Sequence, residues 1–422
     1  MNVTEAVVAL SLFLIGLCAL EHYTRNSRLP YVCWVLLGGL GYGLLVKGPC
    51  PKLPPMQDLL SPDIVLYVFL PLLIFDSSRK LDLDAAREVA LPAFLLATVG
   101  IVFNMFVMAG PIYGVAHLLG SPIGWMDVLL LCAIMSATDP VAVGTIFRLF
   151  PIPEKLRMLI EGESLLNDGT TVILFMLLSK MVLEHQSVPM AAALGLFGVA
   201  IAGAVLVGAA FGLAGSWLLR RWTALSDRFI APLFPILFVY LAFVTAQARF
   251  EISGVVAAMT ATLTFRFVFN RLRPEEIPSE KEREAYRGLW DFLGDLANVF
   301  LFFTLGTEMG IRTGGLPHWI VPTGIAALVL ARGATVYAFG AVLRPTRMRM
   351  PMPWQHVLNA GGLRGALCAA LVLLIPRDYP YRDTFLYVAL SMSLFTLVVN
   401  PLVMRAYLER ADFSKEPGAR SN

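Results

Sequence analysis

Two aspartates sit in stretches that otherwise suit a hydrocarbon core. Asp139 lies in "LLLCAIMSATDPVAVGTIF" (129–147) and Asp168 in "LIEGESLLNDGTTVILF" (159–175). A lone carboxylate at a bilayer centre costs roughly 2.5–3.5 kcal/mol on insertion scales, so each implies partners and a use. Ser164 and Asp168 are spaced i, i+4 and share one helix face, with Glu163 and Asn167 forming the adjacent stripe. At a rise of ~1.5 Å per residue, Asp139 is roughly 14 Å from the boundary marked by Arg148, and Asp168 roughly 16 Å from the one marked by Arg157. The two carboxylates therefore reach similar depth on consecutive antiparallel helices. Arg364, in "NAGGLRGALCAALVLL" (359–374), falls about 16 Å deep by the same arithmetic. Pro140 removes a backbone donor and disfavours a helical Asp139, which frees carbonyls around Ser136 and Ala137 to face a cavity. Gly361, Gly362 and Gly365 imply a second interruption beside Arg364.

Carboxylates, a hydroxyl and freed carbonyls are the oxygen donors that hard cations such as Na+ and Li+ take. A buried carboxylate without a cation takes up a proton. Cation and proton then compete for one site, which is the minimum that exchange requires.

These residues need a membrane scaffold to hold them. Hydrophobic residues make up 57% of the 422 and charged residues only 15%, and the mean hydropathy of +0.71 is far from that of soluble domains. Apolar runs long enough to cross a bilayer recur along the chain. About thirteen spans are expected: 5–22, 30–47, 62–78, 88–118, 125–147, 158–183, 190–219, 229–248, 252–270, 287–309, 318–343, 353–375 and 384–408. The fold class is an all-α polytopic membrane protein, with no room for a soluble domain. The first span lacks a basic leader and is followed by Arg25 and Arg28, which favours a retained anchor over a signal peptide. Connections after odd-numbered spans hold 24 of the 33 basic residues, so the amino terminus is expected outside and the carboxyl terminus in the cytoplasm. The interruptions in spans five and twelve, in comparable places of two halves, point to inverted repeats made of spans 1–6 and 8–13, with span seven between them.

Other features carry less. The five histidines lie at or near span ends, where an amphipathic ring suits the interface, and no HExxH pair exists. Cys18, Cys33, Cys132 and Cys368 lie inside spans and Cys50 in "GPCPKLPP", so no disulfide framework is implied. The Gly/Ala-rich span seven reads as close helix packing. Asp291, Asp295, Glu308 and Arg332 are left without assigned roles, with Asp295 and Arg332 open to pairing across spans ten and eleven. The net charge of +3 follows from the loop asymmetry and gives no reason to expect nucleic acid.

Taken together, "SATDPVAV", "GESLLNDGTTVILF" and "GGLRGALCAAL" resemble the signatures of the monovalent cation:proton antiporters. The likeness is to the NhaP-type sodium/proton antiporters, a branch shared with animal sodium/proton exchangers, and covers nearly all of the membrane region. It implies a homodimer in the cell membrane, the bacterial inner membrane, with no cofactor, serving pH homeostasis. It implies interface helices 1–3 (1–82) and 8–10 (227–314), core helices 4–6 (83–187) and 11–13 (315–410), a linking helix 7 (188–226) and a short cytoplasmic tail (411–422). Carried over by motif, Asp139 and Asp168 are the ion-binding carboxylates, Ser164 an oxygen ligand, Thr138 a backbone ligand and Asn167 its polar brace. Glu163 and Arg364 form a buried structural ion pair, with Pro140 supporting the break. "FLPLLIFDSS" (69–78) resembles the third-helix motif and offers Asp76 as an acidic residue near the ion.

The expected activity is exchange of Na+ (or Li+) for H+ by alternating access. An Asn167-Asp168 pair carries one ionisable group fewer than an Asp-Asp pair, which favours one-for-one, electroneutral exchange. K+/H+ exchange stays open, as do a passive cation channel and an intramembrane aspartyl protease. The protease reading lacks its GxGD signature, since "DFLGDL" has Phe292 at the first glycine, and the channel reading lacks a repeated filter loop. No enzymatic activity is expected.

Overall fold

In lipid a backbone must satisfy its own polar groups, which for apolar runs of this length leaves the helix. The computed structural model describes residues 3–24, 27, 29–48, 62–147, 149–184, 190–222, 230–269, 280–312, 318–345, 350–411 and 413. Cys50 with its Pro-rich loop, residues 414–422 of the expected tail and the side chain of Pro140 lie outside them. The helices are α1 (Val3–Thr24), α2 (Tyr31–Lys47), α3 (62–80), α4 (Leu83–Leu118), α5 (Trp125–Ile134), α6 (Pro140–Phe147), α7 (Glu154–Leu183) and α8 (Met190–Trp222). They continue as α9 (230–249), α10 (Gly254–Phe269), α11 (Glu280–Arg312), α12 (Ile320–Leu343), α13 (Met352–Ala360), α14 (Ala366–Leu373) and α15 (Arg382–Leu408). Among the described residues, six stretches are long and apolar enough to cross a membrane unaided, on α4, α7, α8, α11, α12 and α15.

Local chemistry sets several boundaries. Asp82 caps α4, its carboxylate accepting from the amides of Asp84 at 3.0 Å and Ala85 at 3.1 Å. Within α3 a π-type turn over Val65–Phe69 precedes Pro71, whose missing N–H prevents a regular ladder there. Within the span expected over 125–147, where an interruption was expected at Pro140, the chain leaves the helix after Ile134 and re-enters at Pro140, with Asp139 immediately before it. In the same way α13 ends at Ala360 and α14 opens at Ala366.

The helices pack in two groups. In one, α2 packs along α11 and α3 along α10, with α8 lying on α10 and α9. The α2/α11 contact is backbone to backbone: a Cβ on Gly39 would stand 2.2 Å from the Phe303 carbonyl oxygen, and one on Gly306 2.3 Å from that of Leu36. Small residues thus make a close, stiff pair. In the other group α4 packs against both α7 and α12, and α12 against α15.

Candidate ion-binding site

The two interrupted stretches cross each other. The amide of Asp139 donates to the Leu363 carbonyl at 2.8 Å, which ties one non-helical segment to the other. Gly365 is what allows this approach, because a Cβ there would lie 2.3 Å from the Cβ of Asp139. The end of α5 leaves carbonyls without helical partners, and side chains from α7, α14 and the segment just before α14 take them. Arg364 donates through one Nη to the carbonyls of Ser136 at 2.8 Å and Ala137 at 3.1 Å. A guanidinium at the negative end of a helix is placed where the backbone dipoles favour it. Cys368 Sγ adds a weak contact to the Ala137 carbonyl at 3.4 Å.

Helix α7 supplies the polar wall. Asn167 Nδ2 donates to the Ser136 carbonyl at 3.1 Å and to Thr138 Oγ1 at 3.0 Å. Its amide is oriented by Thr171, one turn on, whose hydroxyl donates to Asn167 Oδ1 at 2.9 Å. Ser164 donates to the Thr138 carbonyl and accepts from Thr138 Oγ1. Asp139, Asp168, Thr138 and Ala137 line one cavity of about 30 Å³ with Asp76, Asn298 and Gly365. That is room for a monovalent cation with little of its water. Asp168 has a buried carboxylate oxygen, Oδ1, with no hydrogen-bond partner among the described residues. An unsatisfied buried carboxylate oxygen is costly unless a cation or a proton meets it.

The expected Glu163 to Arg364 ion pair is not what the structure contains. Glu163 is held by Arg332 of α12 in a two-pronged pair, Nη1 to Oε1 at 2.8 Å and Nη2 to Oε2 at 3.1 Å, and Nη2 also donates to the Leu358 carbonyl at 3.0 Å. Gly362 leaves the space for this side chain, since a Cβ there would lie 2.9 Å from Arg332 Nε. The carbonyls of Ser136 and Ala137, expected to open onto a cavity, are instead occupied by Arg364, Asn167 and Cys368. Asp76 does reach the cavity wall, but Arg79 and Lys80 hold its oxygens. Asp291 joins that cluster, and Glu308 pairs with Arg312. Sequence reasoning missed Arg332 as the partner of Glu163, Thr171 and Asn298. An arginine buried in an apolar span was the available signal for the first.

The family model described as "Sodium/hydrogen exchanger, transmembrane" matches residues 9–410. The Na(+)/H(+) antiporter NhaG of Bacillus atrophaeus is 30% identical over 404 residues, covering 93% of this chain and 73% of the relative. The Na(+)/H(+) antiporter NhaP of Pseudomonas aeruginosa is 29% identical, covering 91% and 92%. Sodium/hydrogen exchanger 2 of Oryctolagus cuniculus is 28% identical over 93% of this chain and 48% of its own length. The solved structure of the sodium proton antiporter MjNhaP1 from Methanocaldococcus jannaschii at pH 8 superposes with a TM-score of 0.77 at 16% identity, over 96% of this chain and 99% of that one. That likeness shows the fold. The crossed interruptions and the carboxylate cavity thus stand in a chain that belongs to the sodium/hydrogen exchanger family, a family of membrane transporters and not of enzymes.

Proposed function

We propose that the protein exchanges Na+ (or Li+) for H+ across the cell membrane, one for one and electroneutrally, with cation and proton competing for Asp139 and Asp168. The observation that carries this reading is the cavity that both carboxylates line, with one oxygen of Asp168 buried and unpartnered among the described residues. Asp139, Asp168, the Ser164 hydroxyl and the Thr138 backbone are the proposed cation ligands. Asn167 and Arg364 hold the α5 end in place, Pro140 starts α6, and Glu163 with Arg332 braces α7 against α12. The relatives that are Na(+)/H(+) antiporters support Na+ as the ion.

Transport proceeds in this reading by alternating access between two inverted halves of six spans. With α5–α6 and α13–α14 each taken as one crossing, α1–α15 supply the proposed thirteen. Helix partners support the repeat. If α2, α3, α4 and α7 correspond to α10, α11, α12 and α15, then the α2/α11 contact maps onto α10/α3, and α4/α7 onto α12/α15. In the proposed division α1–α3 and α9–α11 form the dimer interface, α4–α7 and α12–α15 the moving core, and α8 the link. The amino terminus lies outside and the carboxyl terminus inside. A tag after Arg420 should then resist protease in intact cells and be cut in everted vesicles.

The test is purified protein in liposomes carrying a pH dye. Na+ and Li+ gradients should drive proton movement, with rates insensitive to an imposed membrane potential. Proton movement only with K+ would reassign the ion. Net current would indicate a channel, and released peptides a protease.

A further inference from the structure

The charged cluster beside the cavity contains an element that the exchange reading leaves unused. Asp76 contributes to the cavity wall, yet both of its oxygens face the protein's own cations. Arg79 donates to Oδ1, through Nε at 3.0 Å and Nη2 at 2.5 Å, and Lys80 Nζ donates to Oδ2 at 2.6 Å. Across the gap, on α11, Asp291 Oδ1 lies 2.6 Å from Arg79 Nη2 and 3.0 Å from Lys80 Nζ.

The two cations differ in freedom. The Arg79 side chain is 6% exposed and that of Lys80 40%. The Asp76 carboxylate is itself fixed, because it lies directly on the backbone of α11: a Cβ on Gly294 would stand 2.7 Å from its carboxyl carbon. Any rearrangement therefore falls to the lysine. Its ammonium sits on a flexible stem and is strongly hydrated, and Asp291 offers it a second carboxylate when it leaves Asp76.

We propose that Lys80 is a tethered cation that occupies Asp76 at the approach to the cavity and must be displaced, toward Asp291, by the incoming transported cation. Arg79 positions the Asp76 carboxylate, and Lys80 sets how readily a cation from that side gains it. This rests on the exchange reading of the central site. Asp76 would act as an entry carboxylate whose apparent affinity is lowered by its built-in competitor. A staple that only joins α3 to α11 would use the same ion pairs, so the test needs a readout that stapling does not move.

That readout is the apparent Km for Na+, measured in liposomes of defined orientation with Na+ supplied on one side at a time. Lys80→Gln should lower the Km about two- to fivefold, the worth of an exposed ion pair. The change should appear only with Na+ on the side of the α3 carboxyl end, and in Km, not as a rise in maximal rate. Lys80→Arg, which keeps a cation there, should stay near the wild-type Km. In an Asp76→Asn background Lys80→Gln should produce no further change. A Km that Lys80→Gln leaves the same from both sides, or lowers equally with Asp76 replaced, would overturn the lysine's role while exchange by the wild type stands. A wild type that moves no protons under any cation gradient overturns the exchange reading, and this proposal with it.

Discussion

At the scale of single residues, the sharpest division is between Arg332 and Arg364, two of the buried arginines. Arg332 neutralises Glu163, whereas Arg364 caps the carbonyl end of α5. Removing Arg332 leaves a buried carboxylate without its partner, which typically costs about 3–5 kcal/mol. Arg332→Ala should therefore lower the melting temperature in detergent more than Asp168→Asn does, and adding Glu163→Gln should recover part of the loss. Equal melting of Arg332→Ala and Asp168→Asn would argue that the pair contributes little. Much of the site was legible at this scale. The i, i+4 spacing of Ser164 and Asp168, and the similar depth of Asp139, put these groups near one another on the sequence alone. The arginine partner was not legible, because counting residues along a helix gives depth but neither rotation about the axis nor side-chain reach. Arg332 and Arg364 are both buried polar groups; the space over Gly362 admits Arg332 to Glu163, while Arg364 is taken by the Ser136 and Ala137 carbonyls.

At the scale of elements, the interruptions matter more than the helices. Gly365→Ala would push a methyl group into the Cβ of Asp139, so exchange should fall by an order of magnitude or more in a protein that still purifies folded. Near-normal flux from this variant would mean that the crossing has more slack than its contacts show. Gly39→Val should behave oppositely. It forces α2 away from α11 and should destabilise the fold by about 1–3 kcal/mol, read as an earlier thermal transition. The apolar runs located most elements well: the expected span 30–47 is the helix Tyr31–Lys47, and 62–78 became 62–80. Hydropathy could not show that 125–147 contains two helices, because averaging along the run hides the short polar segment of Ser136, Thr138 and Asp139 between strongly apolar neighbours. Pro140, next to Asp139, was the local mark of the break.

At the scale of the molecule, the proposed alternating access requires contacts between the two helix groups to open. One such contact is in view: Arg312 on α11 reaches Asp383 on α15 at 2.8 Å while also pairing with Glu308. Replacing Arg312 and Asp383 with cysteines, in a variant lacking Cys18 and Cys50, and bridging them with a short reducible cross-linker should arrest exchange until the link is reduced. Undiminished flux through the bridged protein would rule out relative motion at that seam. The proposed competition at the centre has its own signature. Raising the pH through the range in which the site is protonated should lower the apparent Na+ Km about tenfold per unit, the slope for one displaced proton. Flux at fixed Na+ should be bell-shaped in pH, since the proton-carrying return step fails when protons are scarce. A constant Km with a varying maximal rate would place pH sensing elsewhere.

The most direct measurement of the central claim is proton movement in liposomes under an inward Na+ gradient, comparing wild type with Asp139→Asn and Asp168→Asn. Each amide keeps the size of the side chain and loses its charge and proton. Brisk Na+-driven alkalinisation of the lumen by the wild type, abolished in both folded variants, is the expected result. Robust Na+-driven proton flux from either variant would contradict the assignment of the shared site to Asp139 and Asp168.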